Sequence, residues 1–209
     1  MRGDGAAREG QKEPLESLSD HSEETPRHCR RAVLRTLAAA GVAASFPQTA
    51  HASPKMARPQ PGDRFVFAGG EKSGTEIKPE DLSLGAPQVL AWPIDPATKI
   101  VRDGSRLNQV VLVRLEPDAL DEATRGRSAE GIVAYAASCT HALCPVTGWK
   151  EEAKVLSCHC HASEFDPRQG GKVVFGPAPR PLPALAVKIE DGVLVAGGSF
   201  IGRVGMSPA

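Results

Sequence analysis

Ser138-Cys139-Thr140-His141-Ala142-Leu143-Cys144-Pro145 and, fewer than twenty residues on, Ser157-Cys158-His159-Cys160-His161-Ala162-Ser163 hold four of the five cysteines of the chain and three of its six histidines. Each half sets a Cys and a His two or three positions apart, close enough to share one loop. Two such loops can grip one metal centre from opposite sides. Thiolate plus imidazole suits zinc or an iron–sulfur cluster and disfavours calcium or magnesium. The donors outnumber what one tetrahedral metal needs, so some are spare or two cysteines serve another purpose. Spacing leaves open whether Cys158 or Cys160, and His159 or His161, are ligands.

Outward from these loops the chain reads as short strands between turn residues. Strands are predicted at 64–68, 88–92, 109–115, 131–137, 154–157, 172–175, 184–189 and 193–196. Asp166-Pro167-Arg168-Gln169-Gly170-Gly171 and Glu190-Asp191-Gly192 mark turns. A short helix is expected over 118–126, with Asp118 as its cap. The 18 prolines, 21 glycines and 4% aromatic content fit an aliphatic, turn-rich, all-β antiparallel domain. Twenty-five basic residues balance 25 acidic ones, which argues against a nucleic-acid partner. No run of apolar residues is long enough for a strong membrane span.

The N-terminal part carries a different message. Residues 1–28 are polar and without apolar periodicity. Arg30-Arg31 then precede a short apolar stretch, Thr36 to Phe46, and the small-residue site Ala50-His51-Ala52. That is the layout of a twin-arginine export signal. Residues 1–52 are therefore expected to be a cleaved signal and the rest a soluble periplasmic protein, with membrane retention only if cleavage fails. Such a compartment permits disulfides. Residues 53–84 are expected to be a lead-in, 85–204 the folded domain with a cluster-binding subdomain at about 137–183, and 205–209 a tail.

Cys139-Thr140-His141-x-x-Cys144 with Cys158-x-Cys160-His161-x-Ser163 resembles the two cluster-binding loops of Rieske [2Fe–2S] proteins. Gly176-Pro177-Ala178-Pro179 resembles the proline loop that covers the cluster. The resemblance implies an antiparallel β-sandwich with a small inserted cluster-binding subdomain. It also implies one [2Fe–2S] cluster with Cys139 and Cys158 on one iron and His141 and His161 on the other, an arrangement that raises the potential to about −150 to +300 mV. It further implies a disulfide between Cys144 and Cys160, as in exported, high-potential members. His159 stands where the family usually has Pro and is expected to be an exposed loop residue.

By the same resemblance, the Ser163 hydroxyl donates to a bridging sulfide and raises the potential. Phe165 replaces a Tyr whose loss should lower it. The imidazoles of His141 and His161 should make reduction proton-coupled. Ala142-Leu143 stands where cytochrome bc-type subunits usually have Leu-Gly. With Phe165 and the weak N-terminal anchor, this makes the chain similar to the small subunit of arsenite oxidase. That subunit relays electrons from a larger molybdopterin-containing catalytic subunit to a cytochrome c or cupredoxin. The alternative is the Rieske subunit of a quinol:cytochrome c reductase, in which His161 would meet the quinol. A zinc-stabilised β module acting in assembly is a third. No Ser/His/Asp set or paired carboxylates stand out, so no catalytic residues are expected.

Overall fold

Val110–Arg114 and Ile132–Ala136, the strands β3 and β4, are almost wholly buried, and on both faces. Strands covered on both sides read as unbroken apolar runs rather than alternating ones, which is the character of Val-Val-Leu-Val and Ile-Val-Ala-Tyr-Ala. The computed structural model describes residues 53–205, so the expected export signal at 1–52 and residues 206–209 lie outside it. Within that range the protein is all-β and every ladder between named strands is antiparallel.

The larger sheet also contains β1 (Arg64–Phe67), β2 (Val89–Ile94), β9 (Ala184–Leu185), β10 (Val187–Glu190) and β11 (Val193–Ala196), in the order β10-β11-β1-β2-β3-β4-β9. Its two edge strands, β9 and β10, are separated in the chain by Ala186 alone. One residue reaches only about 3.8 Å from its neighbour's Cα, so the edges must meet. The sheet therefore curls into a near-closed barrel rather than an open sandwich layer. Phe65, Ile77, Val110, Leu112, Ile132, Ala134, Leu185 and Leu194 fill its interior.

The smaller sheet holds β5 (Val146–Lys150), β6 (Val155–Cys158), β7 (Glu164–Asp166) and β8 (Lys172–Phe175), in that order. It packs on the outer face of β3 and β4. The alternate residues Val111, Val113, Val133 and Tyr135 join Val146, Leu156 and Phe165 in a second buried cluster. The pairings Val111↔Tyr135 and Val113↔Val133 put these residues side by side. The buried Tyr135 hydroxyl donates to the Pro167 carbonyl at 2.7 Å and so pins the β7–β8 connection.

Four expectations are revised. The segment 53–84, expected as a lead-in, supplies β1 between β2 and β11 and buries Ile77 and Leu82 in the barrel. It also supplies Asp63, whose carboxylate takes Arg102 Nε and Nη2 at 2.6 and 2.8 Å in a buried bidentate pair. The strand expected over 184–189 breaks at Ala186, where the chain passes from one barrel edge to the other. β5 and β7 were not predicted; β5 carries Gly148 in its middle and β7 has three residues. The expected helix shrinks to α1 (Glu122–Arg125), capped by Asp121 rather than Asp118, with the Asp121 carboxylate accepting from Thr124 N–H at 2.7 Å. The stretch around α1 braces the small sheet: Thr124 Oγ1 accepts from Gly170 N–H, and Arg168 C=O accepts from Asp121 N–H.

Candidate metal centre

Three loops converge at one end of the small sheet. The first leaves β4 and returns into β5. Its neck is closed by Val146 N–H to Ala137 C=O and by Cys139 N–H to Cys144 C=O, both 2.8 Å, and Leu143 N–H donates back to Cys139 C=O. The second joins β6 to β7 and is closed by Cys158 N–H to Ser163 C=O at 2.9 Å. The third runs from Gly176 to Arg180. Its carbonyl at Arg180 accepts the Thr140 hydroxyl at 2.7 Å, tying the third loop to the first.

The four expected ligands divide by environment. Cys139 and Cys158 are buried and outside any disulfide. Burial above all pushes the Cys158 thiol up, and the Cys139 thiol beside it adds to this; the backbone N–H groups of Cys160 and His161 pull the other way by favouring the thiolate. His141 and His161 lie on the outer side, His161 exposed and His141 half-buried. Their rings meet edge to face with Nδ1 atoms 3.3 Å apart. Two imidazole nitrogens bound to one tetrahedral metal at about 2.0–2.1 Å would lie about 3.3–3.4 Å apart. Two buried thiols inside and two converging imidazoles outside match a [2Fe–2S] centre with two Cys on one iron and two His on the other. The donor set thus fits that cofactor.

Cys144 and Cys160 are bonded to each other across sixteen positions of sequence, joining the first two loops. Their sulfurs lie within 4.8 Å of the Cys158 sulfur. That proximity alone would suggest a three-sulfur metal site, but two of the three sulfurs are spent on the disulfide. Only Cys158 of that group has a thiolate to offer. His159, exposed, turns the other way: its ring lies over Gly148 of β5, where an added Cβ would come within 3.1 Å of it.

The remaining expected residues have definite contacts. Ser163 is wholly buried and its oxygen accepts from Ala178 N–H at 3.2 Å, which leaves the hydroxyl hydrogen free to donate elsewhere. Phe165 is wholly buried opposite Leu156. Gly176 has φ +88°, and a Cβ there would stand 2.6 Å from Ser163 Cα; only glycine fits so close an approach. Pro177, beside it, is exposed. Leu143 holds φ +61°, which is the conformation that favours the glycine expected there by resemblance. Its side chain reaches toward Gly205, with Cδ2 3.9 Å from where a Cβ of that residue would lie.

Neither Thr140 nor Tyr135 was assigned a role of its own from the sequence. A Thr between the candidate ligands Cys139 and His141, and the only Tyr of the chain just ahead of the first loop, were the available signals.

The family model of the Rieske [2Fe–2S] domain matches residues 100–186. The cytochrome bc1 complex Rieske iron–sulfur subunit of Streptomyces lividans is 42% identical over 133 residues, which cover 62% of this chain and 78% of that one. The subunit of the same description from Corynebacterium diphtheriae is 33% identical over 153 residues, 62% of this chain and 37% of that one. This chain therefore matches only about a third of the longer relatives. Among solved structures, the cyanobacterial plasma membrane Rieske protein from Synechocystis PCC 6803 is 25% identical at a TM-score of 0.35, covering 53% of this chain and 85% of that one. The two curated relatives are described as cytochrome bc1 subunits, not arsenite oxidase subunits, and so favour the alternative over the main expectation.

Proposed function

We infer, from the premise that this chain belongs to the Rieske [2Fe–2S] family, that it is the electron-transfer subunit of a quinol:cytochrome c oxidoreductase of the cytochrome bc1 type. The observation that carries this reading is the 42% identity to a subunit of that description over most of its length. When bound, the cluster supplies a one-electron redox centre. We assign its ligands as Cys139, Cys158, His141 and His161.

The chain's own residues do the rest. Cys139 and Cys158 sit beneath the loops, away from water. The disulfide and the Thr140–Arg180 bond lock the loops so that little reorganisation accompanies electron transfer. With Nδ1 of both imidazoles turned toward each other, Nε2 of the exposed His161 is the atom that can accept a hydrogen bond from a quinol and take its proton. Ala142, exposed in the first loop, replaces the leucine usual in bc-type subunits, while Leu143 is drawn toward the C-terminal segment. The quinol pocket of the partner subunit should accordingly meet a smaller side chain here.

Export belongs to the same proposal. It is supported by Arg30-Arg31 and by a disulfide of the kind that persists in oxidising compartments. Among the described residues no helix is long and apolar enough to cross a membrane.

The test is purification of the tagged full-length protein from native cells, with haem and molybdenum assayed in the eluate and quinol:cytochrome c reductase activity measured. Co-purifying b- and c-type haem, and activity lost in His161→Ala, are expected. A haem-free complex carrying molybdenum would refute the assignment and restore the arsenite-oxidase-like reading. Conversion of Arg30 and Arg31 to Lys should block export; unchanged fractionation would remove the twin-arginine part.

A further inference from the structure

Beside the end of the third loop lies a cavity of about 280 Å³ whose walls include Arg127, Arg180 and Arg203 and, among the described residues, no carboxylate. Its floor is apolar, with Leu182 and Ala184 buried and Ile201 51% exposed at the rim. The three arginines come from separate parts of the chain: the stretch after α1, the end of the third loop, and the C-terminal segment.

None of the three forms an ion pair among the described residues. Arg180 spends two of its five N–H donors on the carbonyls of Arg203 and Gly205, which fixes its guanidinium and holds the C-terminal segment against the cavity. Arg127 places Nη2 3.4 Å from where a Cβ of Gly170 would lie, so its guanidinium stands at the wall rather than in bulk water. Asp121 is an acid that Arg127 influences without pairing with it. Its carboxyl is held below the ordinary value chiefly by Thr124, with Arg127 a smaller influence, and it does not line the cavity.

Three arginines lining one cavity, with no carboxylate among its described lining residues, make a site for an anion, and the planar fork of donors matches phosphate oxygens. The apolar floor and the exposed Ile201 add a place for an organic group. We propose that this cavity binds a phosphate ester, its phosphate among Arg127, Arg180 and Arg203 and its organic part over Leu182 and Ile201. A soluble phosphate monoester and the headgroup of an anionic phospholipid share this chemistry. The site is independent of the electron-transfer reading. It is nevertheless joined to the metal centre, because Thr140, beside Cys139, donates to the Arg180 carbonyl.

The experiment is isothermal titration of the cluster-loaded full-length protein with inorganic phosphate and with phenyl phosphate at constant ionic strength. Sedimentation with phosphatidylglycerol and with phosphatidylcholine vesicles, and titration with polyglutamate, accompany it. We expect one-to-one binding of phenyl phosphate, tighter than inorganic phosphate, weakened at least tenfold in Arg127→Gln and in Arg203→Gln and unchanged in Lys99→Gln. The visible spectrum of each variant checks that it folds and holds its cluster. Binding confined to phosphatidylglycerol vesicles, with the same arginine dependence, identifies the lipid headgroup as the source. Affinity indifferent to both arginine substitutions, or binding of polyglutamate alone, overturns the proposal, the latter in favour of an acidic protein surface.

Discussion

Replacing Ser163 by alanine should lower the reduction potential of the bound cluster. The Ser163 side chain is wholly buried, and its oxygen is already engaged as acceptor by Ala178 N–H at 3.2 Å. The hydroxyl hydrogen is thus the one donor the residue can direct at a charged neighbour. Donation to a charged group is worth about 1.5–3 kcal/mol. It stabilises the more negative, reduced state, so its loss favours oxidation. For a one-electron couple about 59 mV corresponds to a tenfold change in equilibrium, or about 1.4 kcal/mol. If the bond is realised chiefly in the reduced state, the potential should fall by about 60–130 mV. Voltammetry of the loaded protein adsorbed on an electrode measures this directly. The substitution also strands Ala178 N–H, so a thermal melt should show a loss of about 1–3 kcal/mol. A potential within about 20 mV of the native one, a small fraction of a hydrogen bond's worth, with the cluster's spectrum intact, would refute the assignment of Ser163 as a donor.

Other perturbations act on stability. Breaking the Cys144–Cys160 disulfide by a double change to Ser frees a loop of sixteen-residue span and should cost about 3 kcal/mol; melts with and without reductant should then coincide for the variant and differ for the native protein. Gly176→Ala meets Ser163 Cα at 2.6 Å from a φ of +88°, so it should lose about 2–4 kcal/mol and retain less iron on gel filtration. Asp63→Ala leaves Arg102 buried without its partner and should cost about 3–5 kcal/mol in urea unfolding, although Asp63 lies far from the loops in sequence. The carboxyl of Asp121 titrates below its ordinary value of 3.8 because it accepts from Thr124. Its contribution is present above that pH and lost as pH falls through the folded value. Asp121→Asn should therefore flatten the stability profile below about pH 4 and change little at neutrality, where Asn still caps.

Much of the site was legible because ligands advertise themselves by type and spacing, and little of the closure was. The runs that became β3, β8 and β11 stand in the structure almost where their β-branched residues placed them. β5 was hidden because Gly148 interrupts its alternation, and a Cβ on that glycine would collide first with the Ser157 hydroxyl on β6 and then crowd the His159 ring. β7 was hidden because three residues hold too little pattern to see. Capping by Asp121 rather than Asp118 turned on which carboxylate reached a free N–H, a choice that two nearby Asp residues leave undecided. Barrel closure depends on two edges meeting, which no local pattern encodes. The part that 53–84 plays in the barrel was legible only at the strand 64–68, because Ile77 and Leu82 are scattered among Gly, Pro and charged residues and only the fold gathers them into one interior. At the centre, resemblance chose Cys158 and His161 where spacing could not. The structure shows Cys160 bonded to Cys144 and the His159 ring beside Gly148 of β5.

Because β3 and β4 serve as a party wall between the barrel interior and the metal-bearing sheet, adjacent residues on one strand answer to different tenants. Val110 and Leu112 look into the barrel, while Val111 and Val113 look toward the loops. A one-residue slip of either strand would exchange the two sets wholesale and spoil both interiors at once. Such a wall lets the loop-bearing sheet diverge, acquiring a different tip or a different partner, while the barrel behind it keeps its own packing. It confines the consequences of change to one side of a single layer of backbone.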